Sequence, residues 1–154
     1  MRRSHARPPA PEAFAAHAEL VAALQQRGSL LTHPKGTILF RQGEPSRGVY
    51  LLLEGSARLS IERDNRRSVF VRAVGRGYLL GLPGTILNGR YLFTAKLAEN
   101  SRVVFIPSAD LIEFLRQRSD ICFDVVEMLG GELLELPPTV HARATRNRHR
   151  RANA

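Results

Sequence analysis

Between Leu30 and Ile106 the apolar residues come in short runs, several of which alternate with polar residues. Ala57–Glu62 shows this best. Ala57, Leu59 and Ile61 fall on one face, and Arg58, Ser60 and Glu62 on the other, the period of a half-buried strand. Further strands are predicted at 30–32, 37–40, 49–53, 68–74, 92–97 and 102–106. Between them lie turn formers: Pro34-Lys35-Gly36, Gly43-Glu44-Pro45-Ser46, Glu54-Gly55, Asp64-Asn65 and Gly75-Arg76-Gly77. Asp64-Asn65 predicts a hairpin. Many short strands at this spacing predict a mainly β sandwich or barrel, not an α/β fold.

The period changes to that of a helix at both ends. A helix is predicted over 12–27, with Phe14, Leu20, Val21 and Leu24 near one face and Gly28 as its stop. Arg7-Pro8-Pro9-Ala10-Pro11 before it is expected to be extended, because proline fixes its own φ and restricts its neighbour. After the strands, Ser108 has the chemistry of an N-cap, Asp110 stands in the first turn, and Leu111, Ile112, Phe114 and Leu115 are apolar. A last helix is predicted over 120–136, with an apolar stripe at Cys122, Val125, Leu129, Leu133 and Leu136. Gly130-Gly131 interrupts it at about 1 kcal/mol each, and Pro137-Pro138 stops it.

The chain has 154 residues, enough for one domain, and 44% are apolar, enough for a packed core. No run approaches the roughly eighteen apolar residues of a membrane helix, so no membrane partner is expected. Met1 to Pro11 is basic but leads into no apolar stretch, against a secretory signal. Cys122 is the single cysteine, which excludes an intrachain disulfide and a four-cysteine metal site. A reducing, cytoplasmic setting fits.

The net charge of +9 sits at the ends. Residues 1–10 carry +3, residues 137–154 carry +5, and residues 11–136 sum to +1. The high isoelectric point thus predicts charged termini, not a basic domain face.

Phe40-Arg41-Gln42-Gly43-Glu44, Val49-Tyr50-Leu51-Leu52-Leu53 and Glu54-Gly55-Ser56, followed by Gly77-Tyr78-Leu79-Leu80-Gly81, carry a resemblance. In this order the segments closely resemble the cyclic-nucleotide-binding fold of the Crp/Fnr regulators, over roughly residues 29–136. The resemblance implies an eight-stranded antiparallel jelly roll (a double-stranded β-helix) with one N-terminal and two C-terminal helices. It also implies a non-catalytic sensor linked to transcriptional regulation, a homodimer built on the last helix, and a pocket for an effector.

By the same resemblance, a pocket glutamate accepts from the ribose hydroxyl, and an arginine about ten residues later, followed by a small hydroxyl residue, holds the cyclic phosphate. Here Leu82 stands at the glutamate position, in Gly81-Leu82-Pro83-Gly84. Leu92 and Phe93 stand at the next two, before Thr94. Arg90 comes two residues too early and reads as a turn residue. The candidate pocket is therefore more apolar than a cyclic-phosphate site. Side chains that simply fill the barrel and a site for another, more apolar effector are both compatible with it. The implied dimer-helix residues are Val125, Leu129, Leu133 and Leu136.

Full-length relatives carry a helix-turn-helix after the dimer helix, and only 18 residues follow Leu136 here. The expected organisation is a disordered basic segment at 1–11, the sensor domain at 12–136, and a disordered arginine-rich tail at 137–154. Arg143, Arg146, Arg148, Arg150 and Arg151 in that tail support an alternative function, charge-driven nonspecific nucleic-acid binding on a dimeric scaffold. No aromatic residue interleaves them.

No cofactor, metal or catalytic site is predicted. His5, His17, His33, His141 and His149 have no ligand spacing, Cys122 reads as a small core residue, and no nucleophile elbow or P-loop is present.

Overall fold

A computed structural model describes residues 18–63 and 67–135, with backbone alone for 130–135. Eight strands appear: β1 Ser29–His33, β2 Ile38–Phe40, β3 Gly48–Glu54, β4 Ala57–Glu62, β5 Ser68–Val74, β6 Leu79–Leu80, β7 Thr94–Leu97 and β8 Ser101–Pro107. Four helices accompany them: α1 Ala18–Arg27, α2 Leu82–Ile86, α3 Ser108–Gln117 and α4 Ser119–Glu135. The strands form two antiparallel sheets, ordered β1-β8-β3-β6 and β2-β7-β4-β5. This is the jelly roll that the sequence predicts.

Within the β1-β8-β3-β6 sheet, β3 and β8 bury both faces, while the edge strand β1 is mostly exposed. Leu52 of β3 and Val103 of β8 point into the barrel, against Ala57, Leu59, Ile61, Ala95 and Leu97 of the other sheet. Val49 and Leu51 of β3 and Val104 and Ile106 of β8 point the opposite way, against Leu20 and Leu24 of α1, Leu111 and Phe114 of α3, and Ile121, Val125 and Met128 of α4. The β2-β7-β4-β5 sheet buries only its inner face, and β4 alternates inward and outward as its sequence predicts. No described helix is long and apolar enough to cross a membrane.

Several local expectations need correction. The β4–β5 hairpin forms, with Glu62 paired to Ser68, although Asp64 and Asn65 lie outside the described residues. Pro107 is the N-cap of α3, with no side-chain cap, and Ser108 is already helical. The reason is that β8 runs on to Pro107, which pairs with Gly48. Gly130-Gly131 does not interrupt α4, which continues to Glu135. The buried stripe of α4 is Ile121, Val125 and Met128, while Cys122 is half-buried. Val125 therefore faces its own domain, and Leu129 packs partly against the same core. Exposed on α4 instead are Phe123 and Val126. Leu133 lies within α4, and Leu136 lies outside the described residues. Residues 12–17, including Phe14 and His17, also lie outside them, as does the segment 1–11.

The α1–sheet contact is the simplest to test. Leu24 is fully buried, whereas Leu30, on the edge strand β1, is 53% exposed. Leu24→Ala is expected to lower the urea-unfolding free energy by about 2–5 kcal/mol. Leu30→Ala should stay within about 0.5 kcal/mol of wild type. Equal losses at the two positions contradict the packing described.

Candidate functional site

The turn Gly43-Glu44-Pro45-Ser46 and the segment Gly89-Arg90-Tyr91 close one end of the barrel against each other. The Gly43 N–H donates to Tyr91 O at 2.9 Å, the Tyr91 N–H to Glu44 O at 3.0 Å, and the Ser46 N–H to Gly89 O at 2.9 Å. Gly43 has φ +85°, a region open to glycine at no steric cost. Gln42 ties the turn to both flanking strands: its N–H donates to Thr94 Oγ1 at 3.0 Å, and its Oε1 accepts from the Glu62 N–H at 2.6 Å.

These contacts aim Tyr91 inward. Its ring stacks on Phe40, centroids 3.9 Å apart and planes 15° from parallel. Its hydroxyl donates to Gly48 O at 2.8 Å and accepts from the backbone N–H groups of Arg47 and Gly48 at 3.2 and 3.3 Å. Tyr50 continues the cluster, 5.9 Å from Phe40 and 4.9 Å from Phe105 between centroids. Burial, then the neighbouring Tyr91, pushes the Tyr50 hydroxyl above its ordinary pKa and keeps it protonated.

Beside the rings, α2 begins at Gly81, which has φ +85° and lies so close to Tyr91 that a Cβ would come within 2.8 Å of the ring. Thr85 fastens α2 in place. Its hydroxyl donates to Gly81 O at 2.8 Å and lies 3.1 Å from Gly48 O, with the Ser46 hydroxyl 2.6 Å away.

What remains inside is a cavity of about 10 Å³, lined by Phe40, Leu59, Tyr78, Leu80, Gly81, Pro83, Gly84, Leu92 and Phe93. That is room for a single water molecule. Of the predicted pocket residues, Gly81, Pro83, Gly84, Leu92 and Phe93 do line it. Leu82 does not: it is buried in the other core, with Leu20, Leu79 and Leu111. Arg90 is exposed, and its guanidinium donates to Gly43 O at 2.7 Å, the turn position that the sequence predicts. Thr94 is spent on the Gln42 amide. No charged side chain lines the cavity. The arginines of the tail, 143 to 151, lie outside the described residues.

Tyr91, Phe40 and Thr85 are the residues that sequence reasoning missed. Tyr91 did have a signal, since Tyr91, Phe93, Ala95 and Leu97 share one face at period two and all four are buried. Among the described residues, no group of three His, Cys, Asp or Glu is placed to hold a metal ion.

Tyr91→Phe keeps the ring stack and leaves the Arg47 and Gly48 amides without their acceptor. A loss of about 1–3 kcal/mol is expected in urea melts. Gly81→Ala adds a left-handed alanine, at about 1–2 kcal/mol, to the displacement of Tyr91. Its loss is therefore expected to be at least as large. Wild-type stability in both variants contradicts the closed site.

Comparison with known proteins agrees with this architecture. The Thermus thermophilus catabolite activator protein superposes with a TM-score of 0.69 at 20% identity, over 84% of this chain and 57% of that one. Oxidised CprK, in complex with o-chlorophenolacetic acid, superposes with a TM-score of 0.64 at 20% identity, over 86% of this chain and 52% of that one. In sequence, the mouse patatin-like phospholipase domain-containing protein 7 is 25% identical over 99 residues, 64% of this chain and only 7% of that protein. The chain thus spans a small part of that curated relative and just over half of these two solved structures. The family model of the cyclic nucleotide-binding domain matches residues 30–118, the stretch from β1 to the end of α3, and the chain belongs to that family.

Proposed function

We propose that this chain is a non-catalytic regulatory sensor domain whose barrel site is not built for a cyclic nucleotide, and that it acts as a homodimer. One observation supports the first part: the cavity inside the barrel, beside the Phe40–Tyr91 stack, is small and apolar. Ligand pockets usually measure about 300 Å³ or more, against about 10 Å³ here. A cyclic phosphate is an anion that is costly to strip of water unless a cation or several donors replace that water. Leu92 and Phe93, which stand where the family pattern has its anion-binding pair, supply neither. An apolar effector would have to displace Tyr91 and so break the hydrogen bonds at Gly48. CprK shows that a relative of this fold takes an aromatic acid.

The second part rests on α4. Phe123 and Val126 are 64% and 56% exposed, one turn apart on a helix that is apolar on more than one side. A second copy of α4 covers both in a self-complementary contact. This arrangement replaces the predicted use of Val125, which the domain itself buries. Nucleic-acid binding through the arginines of residues 137–154 is a separate reading that rests on charge alone.

Isothermal titration with cyclic AMP and cyclic GMP is expected to give no saturable heat below about 1 mM, because both family contacts are missing. Micromolar binding of either nucleotide overturns the reading of the barrel.

Light scattering behind size exclusion tests the dimer. The wild type is expected at twice the chain mass, and Phe123→Glu with Val126→Glu at the chain mass, its near-ultraviolet spectrum unchanged. A monomeric wild type rejects the homodimer.

A further inference from the structure

The near-neutral sum of residues 11–136 hides two charged layers. Residues 28–107, which hold the eight strands, carry 12 Lys and Arg against 5 Asp and Glu, a net +7. Residues 18–27 and 108–135, the layer of α1, α3 and α4, carry 3 against 8, a net −5. The acidic helices cover the outer face of the β1-β8-β3-β6 sheet. The outer face of the β2-β7-β4-β5 sheet lies on the far side of the barrel, and no described element covers it. Of the twelve cations, Arg58 and Lys96 stand on that outer face, and Glu62 shares it at the end of β4.

On that bare face Arg58 of β4 stands directly opposite Lys96 of β7. Both are exposed, and neither pairs with a described acid. Like charges directly across an antiparallel pair destabilise a sheet, and an anion laid over them removes the penalty. The Arg58 guanidinium also lies 4.3 Å above the ring of Phe70 on β5, which is 45% exposed. A flat apolar surface thus adjoins the cations. At the end of β4 and the start of β5, Arg63 and Arg67 are exposed as well. A small anion held between Arg58 and Lys96 leaves the exposed part of Phe70 in water.

We propose that the outer face of the β2-β7-β4-β5 sheet, centred on Arg58, Phe70 and Lys96, binds single-stranded nucleic acid. The polymer supplies a phosphate for the Arg58–Lys96 pair and unstacked bases for the Phe70–Arg58 platform. A duplex keeps its bases stacked within itself and leaves Phe70 wet. An acidic peptide offers charge and no planar partner. The surface is distinct from the barrel cavity and from the exposed face of α4, so its failure leaves the sensor reading standing.

The test is fluorescence anisotropy of the full chain with a labelled 15-nucleotide oligouridylate at several salt concentrations. Polyglutamate and phosphatidylserine vesicles serve as the other anionic partners. Phe70→Ala is expected to weaken oligouridylate binding about tenfold and to leave any polyglutamate or vesicle binding unchanged. Arg58→Gln with Lys96→Gln is expected to flatten the log–log salt slope by about 1.4, two phosphates' worth on a single strand. All three positions are on the outer face, so far-ultraviolet circular dichroism should match wild type. Should Phe70→Ala lose its fold, the charge pair alone carries the test through its slope. Three results overturn the proposal: wild-type affinity in a folded Phe70→Ala chain, an unchanged slope in the double variant, or tighter binding of the wild type to polyglutamate or vesicles than to oligouridylate.

Discussion

Both faces of β3 and β8 have to leave water, and the other elements are arranged around that demand. Val49-Tyr50-Leu51-Leu52-Leu53 and Val103-Val104-Phe105-Ile106 are continuous apolar runs, so no rotation of either strand turns a polar side to solvent. One face is closed by the partner sheet. The other must be closed by helices, which is why α1 arrives from the N-terminal side and α3 and α4 from the C-terminal side, onto the same surface. At about 25 cal/mol per Å² of apolar area, burying a single leucine is worth about 1.5–3 kcal/mol, and a dozen or more large side chains are shared between these layers. The salt bridges from Arg118 to Glu19 and Asp120 join α1 to the start of α4. They hold the Asp120 carboxyl below its ordinary pKa but are exposed, and exposed pairs contribute little.

Inside the barrel the same close packing decides how much room is left for a ligand. A β-barrel of this size either encloses a ligand or fills itself with side chains. Here Tyr91 and Phe40 supply the filling, and the polar end of Tyr91 is satisfied by the backbone at Arg47 and Gly48. The hydroxyl makes this a stable closure, since a phenylalanine there would leave the buried Gly48 amide and the part-buried Arg47 amide without it. Gly81 and Gly43 permit it sterically, one by admitting the ring edge and the other by turning the loop that carries its hydrogen bonds.

How much of this the sequence discloses depends on whether a strand is wetted on one face or on neither. β4 and β5 have one wet face, and their alternation gives their limits without error, at Ala57–Glu62 and Ser68–Val74. β6 has two residues, Leu79 and Leu80, too few to show any period. β7 begins at Thr94, two residues later than the apolar run suggests, because Tyr91 is held by the loop at Glu44. The site was legible as a set of positions, from Gly81 to Phe93, and not as a set of directions. Leu82 shows why: it opens α2, and the left-handed turn at Gly81 sends it toward α1 instead of into the barrel. On α4 the apolar residues outnumber those one face can hold, so the sequence cannot say whether Val125 or Val126 meets the domain.

The one-faced burial of the second sheet has a further consequence, this time for charge. Outward positions on β4, β5 and β7 are free of the core, and nearly all of the excess cations of the strand region have to occupy such outward or loop positions. The helices, packed on the opposite side, present their own outward positions, and those are acidic. The strand region and the helices therefore carry opposite net charge. A second copy seated on Phe123 and Val126, as proposed, would meet an acidic surface and have to supply apolar contact to offset its repulsion. A partner that touches the bare sheet meets cations and an aromatic ring. The two surfaces differ in chemistry: exposed apolar residues among acids on one, two cations beside an aromatic ring on the other.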